Sequence, residues 1–236
     1  EQHLDLISSG HLPHFTWKIN QVNEANKIKN DETISNLEES VNFNPKSIYK
    51  YETNDWKSVE NLSISVKSSF LTIASFNVLC DVYEKDKIQT EKRLPAIFEE
   101  LRKSDADIIA IQEATPDFLK FLLAQDWIRD YYYVSESSTG DNIQSFANLL
   151  LSRLPFTLVE HKFSIQKHVL VGSWFINNEL LHVAVVHLTS NRAKNAVEKR
   201  KHQLRTVVDY LQQQSGSYCI VGDFNTINNL EDDLPS

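Results

Sequence analysis

From Leu62 onward two kinds of apolar periodicity alternate along the chain, and their order predicts the fold class. Leu62-Ser63-Ile64-Ser65-Val66 places apolar side chains at every second position, and beyond Lys67-Ser68-Ser69 the run Leu71-Thr72-Ile73-Ala74-Ser75-Phe76 ends at Asn77. Two such runs around a short polar turn predict a β-hairpin. Leu94, Ile97, Phe98 and Leu101 recur at helical spacing, which predicts a helix with Pro95 near its start. The apolar run Ile108-Ile109-Ala110-Ile111 predicts a buried strand leading into Gln112-Glu113. Thr115-Pro116 then reads as the start of a second helix, whose apolar side is Phe118, Leu119, Leu122 and Leu123.

Tyr131-Tyr132-Tyr133-Val134, Phe146 to Leu151 and Val169 to Ile176 predict consecutive strands. Asn177-Asn178 is a tight-turn signal before a strand that ends at His187. Val197, Leu204, Val207, Val208 and Leu211 share a helical face, and that helix leads to a last strand, Tyr218-Cys219-Ile220-Val221. Strands and helices alternate but hairpins intervene, so the expected class is α/β, a two-layer β-sandwich flanked by helices. Residues 1–60, rich in Asn, Lys, Glu and Ser with Trp17, Tyr49, Tyr51 and Trp56 among them, are expected to be a polar extension or small accessory element. Residues 61–236 form the main domain, and the stretch Asn23 to Val41 shows no helical stripe.

Composition narrows this picture little. The 236 residues, 41% hydrophobic and 10% aromatic, suffice for one large core. No apolar run approaches the roughly 20 residues of a membrane-spanning helix. Only two cysteines occur, Cys80 and Cys219; two free thiols in a reducing compartment, and hence an intracellular protein of cytoplasm or nucleus, are expected. A net charge of −8 argues against a surface coated for non-specific nucleic-acid binding, but a bound divalent cation would reverse the field locally. The one dense basic cluster, Lys194, Lys199, Arg200, Lys201, His202 and Arg205, is expected to be the solvated face of the last helix.

The candidate chemistry lies at strand ends. Asn77, Glu113, His187 and the tetrad Gly222-Asp223-Phe224-Asn225 each follow an apolar strand. A Gly-Asp step after a strand is ordinarily a turn. Ligands of α/β sheets, however, collect at strand ends, and four polar ends in one chain point to a single convergent site.

The ordered blocks Ser75-Phe76-Asn77, Ile111-Gln112-Glu113, Asn148 to Pro155, Val186-His187-Leu188 and Gly222-Asp223-Phe224-Asn225 resemble the endonuclease/exonuclease/phosphatase superfamily of metal-dependent phosphodiesterases. The resemblance spans roughly Leu71 to Asn225. It implies Mg²⁺, or Mn²⁺ in its place, on Glu113, with Asn77 in the network around the metal. It further implies that Asp223 is the base toward the attacking water, that Asn225 orients the phosphate, and that His187 contacts it. Ser190 and Arg192, followed by Arg200, Gln203 and Leu204, look like the tyrosyl-DNA phosphodiesterase branch and imply substrate contacts. Asn77-Val78-Leu79-Cys80-Asp81 looks more like the poly(A)-shortening deadenylases, so both branches stay open.

The superfamily's terminal Ser-Asp-His block has no counterpart, since no histidine follows Asn225. With no methionine in the sequence, the expectation is a piece of a longer protein, truncated within the domain at its C-terminus. The expected function is divalent-metal-dependent hydrolysis of a phosphodiester, with a nucleic acid, and especially its ends, as partner. A phosphatase acting on phosphoinositides or other phosphoesters, and a catalytically incomplete binding fragment, are the alternatives.

Overall fold

The computed structural model describes residues 41–60, 64–82 and 85–226, together with the strand at 14–18. Most of the Asn23 to Val41 stretch and the acidic tail after Thr226 lie outside the described residues. Six strands come first: β1 (His14–Lys18), β2 (Asn44–Lys46), β3 (Ile48–Glu52), β4 (Asp55–Val59), β5 (Ser65–Val66) and β6 (Phe70–Asn77). Next come α1 (Lys85–Ile88), α2 (Thr90–Lys103), β7 (Ile108–Ala114), α3 (Pro116–Leu123), α4 (Asp126–Tyr131), β8 (Tyr133–Val134) and β9 (Ala147–Ser152). The chain continues through β10 (Thr157–Lys162), β11 (His168–Ile176), β12 (Glu179–His187), α5 (Ala196–Gln212) and β13 (Ser217–Asp223).

Two mixed sheets result. One runs β1-β6-β7-β9-β8-β3-β4, the other β13-β12-β11-β10-β2 with β5 joined to β11. Side-chain alternation along β7 explains their stacking. Ile108 and Ala110 enter a core between the sheets with Leu150, Leu170, Trp174 and Val183. Ile109 and Ile111 face the other way, onto Leu94, Phe98, Phe118 and Leu122 of α2 and α3. Both faces of the strand are therefore apolar, which is why its sequence is a continuous hydrophobic run. On the far face of the second sheet, Val169, Val171, Ala184 and Val186 pack on Val207 and Leu211 of α5. The layers are helix, sheet, sheet, helix, and among the described residues no helix is long and apolar enough to cross a membrane.

Local signals set several boundaries. Thr115 caps α3, its hydroxyl accepting from Phe118 N at 3.1 Å, with Pro116 at the first helical position. Asn177 and Asn178 take φ of 51° and 67°, the left-handed pair that a tight β11–β12 hairpin needs. Pro95 sits inside α2, which starts at Thr90.

Three expectations change. Leu62 and Ser63 lie outside the described residues, and the rest of the expected hairpin does not pair: β6 has its two edges taken by β1 and β7, and β5 pairs in parallel with Phe175 and Ile176 of β11 in the other sheet. Of the strand expected at Tyr131–Val134 only Tyr133 and Val134 pair in a sheet, because Tyr131 closes α4 and Tyr132 caps it. Thr157–Lys162 forms β10, which strand patterning alone does not single out. Before residue 61, β2 joins the second sheet and β3 and β4 extend the first, with Ile48 fully buried between the two. Trp56 packs on the helix-side core.

Candidate functional site

β6 and β7 run parallel, with Asn77 opposite Gln112, and β12 and β13 run parallel, with His187 opposite Asp223. The C-terminal ends of these two pairs meet, one from each sheet. A bulge aims Glu113 at the meeting point. Ile111 pairs with Leu149 but Ala114 pairs with Ala147, so β7 spends one residue more than β9 between them. Ile111 and Ala114 both face the helices. Gln112, bonded to Ser75 at 3.5 Å, and Glu113, with φ of 60°, fit between them on the side of the second sheet. Left-handed backbone at a glutamate costs about 1–3 kcal/mol, and such strain concentrates where a side chain must point somewhere particular.

Asn77 holds the cluster together. Its Nδ2 donates to Glu113 Oε1 at 2.9 Å and to Asp223 Oδ2 at 2.8 Å, while its Oδ1 accepts from Leu79 N at 2.8 Å and so fixes the amide's orientation. Cys80 N donates to Glu113 Oε2 at 2.9 Å. Arg93 of α2 pins the same segment through the Val78 and Leu79 carbonyls. Asp223 is held from its other oxygen by Asn225 N at 2.9 Å, and Asn225 Nδ2 donates to Leu188 O at 2.9 Å. The same carbonyl accepts from Lys167 Nζ at 2.9 Å. Gly222 makes this approach feasible: at φ of 133° a Cβ there would collide with the Val186 carbonyl.

His187 Nε2 lies 3.6 Å from Glu113 Oε1 and 3.8 Å from Asp223 Oδ2. Burial, with the Lys167 charge nearby, pushes its imidazole down to about 4 despite the two carboxylates, so it is neutral at pH 7. Burial works to raise the Glu113 carboxyl, but hydrogen bonds from Asn77 and Cys80 and the pull of His187 hold it below the ordinary range. Burial first, then Glu113, pushes the Cys80 thiol up to about 12, so it stays protonated. Lys167 is pushed down to about 8 by burial, against the attraction of Glu113 and Asp223.

One ligand atom from each of Glu113, His187 and Asp223 lies within 4.8 Å of the others. Two carboxylates and a neutral imidazole suit a divalent cation, and a hard cation needs only one or two carboxylates beside water and substrate oxygens. The donor set fits.

The structure thus brings together Asn77, Glu113, His187, Asp223 and Asn225. Ser190 is half-buried and Arg192 exposed in the loop between β12 and α5, and among the described residues no hydrogen bond ties either to the cluster. That loop is fixed from α5: Gln203 Oε1 accepts from Thr189 N at 3.0 Å and from its hydroxyl at 3.1 Å, and Arg200 donates to Thr189 O at 3.1 Å and Asn191 Oδ1 at 2.6 Å. Arg200 is therefore buried rather than solvated, and α5 turns Arg200, Gln203 and Thr206 inward, leaving Val197, Leu204 and Val208 half-buried. Lys167 is a site residue that no sequence signal marks. It stands in a polar turn before an apolar strand, where a lysine is ordinarily solvated.

A two-sheet α/β sandwich with an acidic, cation-suited cluster where strand ends of both sheets meet defines a recognisable class of phosphoesterase fold. The model of the Endonuclease/Exonuclease/phosphatase family matches residues 74–233, and the chain belongs to that family. Among solved structures it is similar to humanized D. rerio TDP2, at 18% identity over 66% of this chain and 63% of that one, with a TM-score of 0.51. The human Nocturnin catalytic domain with bound sulfate gives 17% identity, 68% and 67% coverage, and 0.50. ANGEL2, described as a 2′,3′-cyclic phosphatase, gives 19%, 66% and 53%, and 0.50. The chain spans less than two thirds of the TDP2 structures it matches. No curated protein matches it in sequence.

Proposed function

We propose that the protein is a divalent-cation-dependent phosphodiester hydrolase acting on nucleic-acid ends, with Mg²⁺ as the natural ion and Mn²⁺ as a substitute. The observation that carries this reading is the donor cluster: Glu113, His187 and Asp223 within 4.8 Å of one another, with Asn77 bridging both carboxylates. Glu113 is the principal ligand. When bound, the cation neutralises phosphate charge and lowers the pKa of water.

The chain's own groups supply the rest. Asp223, held at both oxygens by Asn77 and Asn225, accepts the proton of the attacking water. His187 is neutral and buried, and donates through its ring N–H to a phosphoryl oxygen. Asn225 spends one amide hydrogen on Leu188 O and keeps the other for the phosphate. Ser190 and Arg192 meet the strand beyond the scissile bond, and the exposed Lys194, Lys199, Lys201 and Arg205 offer weak backbone contacts. Two structural neighbours support a nucleotide substrate: one D. rerio TDP2 structure is complexed with a single-strand DNA product, and one ANGEL2 structure with adenosine-2′,3′-vanadate.

The test is a substrate panel with Mg²⁺: a 5′-tyrosyl oligonucleotide, oligo(A), RNA ending in a 2′,3′-cyclic phosphate, and a phosphoinositide. At least one nucleic-acid substrate is expected to be hydrolysed, with loss on chelation and a fall of about 10²–10⁴ in Asp223→Asn. Turnover confined to the phosphoinositide, or indifferent to both chelation and Asp223→Asn, would overturn the reading.

A further inference from the structure

The turn after β6 is held in a conformation that its own residues do not favour. Leu79 has φ of 57°, the left-handed region that a branched apolar residue seldom enters, and it is 49% exposed, so burial of its own side chain does little to keep it there. The backbone N–H groups of the turn all go to the candidate cation seat or to the bulge beside it. Val78 N donates to Gln112 O at 3.0 Å, Leu79 N to Asn77 Oδ1 at 2.8 Å and Cys80 N to Glu113 Oε2 at 2.9 Å.

The carbonyls of the same turn are taken from the helix layer. Arg93 of α2 donates from Nη2 to Val78 O at 3.1 Å and from Nη1 to Leu79 O at 3.4 Å, so one guanidinium brackets the left-handed residue. Val78 O and Leu79 N belong to one peptide unit, and Leu79 O and Cys80 N to the next. A peptide unit is planar and rigid, with its C=O and N–H pointing opposite ways. Each plane is therefore gripped at its oxygen by Arg93 and at its nitrogen by Asn77 or Glu113. Cys80 reaches Glu113 through its thiol as well. A Leu79–Cys80 plane free to rotate would withdraw both partners from that carboxylate and leave it to Asn77, whose own orientation depends on Leu79 N.

We propose that Arg93 is a positioning residue of the cation seat: through two peptide planes it aims the Leu79 and Cys80 N–H groups at Asn77 and Glu113, and so sets the carboxylate that is the principal ligand. The inference rests on the cation-dependent reading and extends it to a residue outside the donor cluster. Its planar fork is what the task needs, since charge-assisted bonds from two nitrogens fix two acceptors at once and a single ammonium does not reproduce that geometry. The Val78 side chain stays buried in the helix-side core with Leu94 and Ile97 whether or not the guanidinium is present, so the effect of Arg93 falls on the turn rather than on the fold.

The experiment compares the 236-residue chain with Arg93→Met, Arg93→Lys and the double variant Arg93→Met/Leu79→Asn. Two quantities are read: exchange of the Cys80 amide in chelator, followed by NMR beside that of the fully buried Ile109 in β7, and Mg²⁺ affinity by calorimetry. Arg93→Met is expected to speed Cys80 exchange about tenfold or more, with Ile109 changing far less, and to weaken Mg²⁺ binding about fivefold to tenfold. Arg93→Lys should lose less of each. Asn tolerates the left-handed region, so Leu79→Asn should recover part of both losses in the methionine background. Unchanged Cys80 exchange, equal acceleration of both amides, or wild-type Mg²⁺ affinity in Arg93→Met overturns the proposal, and Arg93→Lys answers by the same two readings if the methionine variant misfolds. A wild type that binds no divalent cation rejects the cation reading, whereas selective exchange at Cys80 in chelator upholds the hold of Arg93 on Glu113 all the same.

Discussion

Asn77 of the seven-stranded sheet donates a 2.8 Å hydrogen bond to Asp223 of the six-stranded sheet. The same nitrogen serves Glu113 at 2.9 Å, so one amide neutralises neither carboxylate yet satisfies an oxygen of each. Two anionic side chains are held at a common point until something more positive displaces the need for the amide.

Asn77→Asp is expected to separate these roles. A third carboxylate removes two hydrogen bonds and adds repulsion, costing about 1–3 kcal/mol in chelator. Divalent cation should restore most of the loss. Thermal melts of variant and wild type with and without Mg²⁺ check this, and an equal cation-induced shift in the two would count against Asn77 as the bridge.

Glu113→Gln should bind Mg²⁺ or Mn²⁺ at least about tenfold more weakly, because only Asp223 then offers a charged oxygen to a hard cation. Titration followed by Mn²⁺ resonance measures it. Unchanged affinity would remove Glu113 as a ligand.

Gly222→Ala should destabilise the protein by about 2–4 kcal/mol, since the new Cβ meets the Val186 carbonyl, a backbone atom that cannot step aside. Gly140→Ala is the control: it shares a positive φ, but its nearest neighbour is a Leu119 methyl at 3.4 Å. Urea unfolding of both should show the larger loss at Gly222.

His168 sets an acid limit. Burial, then Lys46 and Lys162, push its imidazole down to about 3, and its Nε2 accepts from Asn148 N at 2.9 Å. The unfolded chain therefore binds a proton that the folded chain refuses, and stability held above pH 6.5 is lost as pH falls toward about 3. His187 and Glu113, both depressed, act in the same direction. His168→Gln keeps an acceptor for Asn148 N and cannot titrate, so its urea midpoint should fall less than the wild type's between about pH 6.5 and 4. Parallel curves would exonerate His168.

Gln203→Leu strands Thr189 N and its hydroxyl, at a cost of about 1–3 kcal/mol. The loop bearing Ser190 and Arg192 should loosen, raising KM on a nucleic-acid substrate more than it lowers kcat. Steady-state kinetics beside a melt would distinguish this from simple unfolding.

Much of this was legible from local pattern. The apolar runs locate β6, β7, β11 and β12, Thr115-Pro116 starts α3, and Asn177-Asn178 makes the hairpin turn, because each rests on backbone preferences of neighbouring residues. The strand-end polar residues converge as their order suggested. What stayed hidden depends on distant partners. β5 takes the edge of β11 that β10 leaves after Ser173, a choice made more than a hundred residues away. Strict alternation would send Glu113 toward the helices with Ile111, and only the register against Leu149 and Ala147 reveals the extra residue that turns it round. Arg200 looks solvated until Thr189 is placed beside it. Lys167 is invisible for the same reason.

The ligand atoms of the candidate cation seat come from both sheets: Glu113 from one, His187 and Asp223 from the other, with Asn77 of the first bonded to both carboxylates. Between those sheets the core is apolar and non-directional, a contact that tolerates small sliding. An ion fastened to both ends is therefore a rivet through two plates. Its arrival would resist shear between the layers as well as complete the chemistry, and amide exchange in β7 and β13, whose ends carry Glu113 and Asp223, would slow together when it binds.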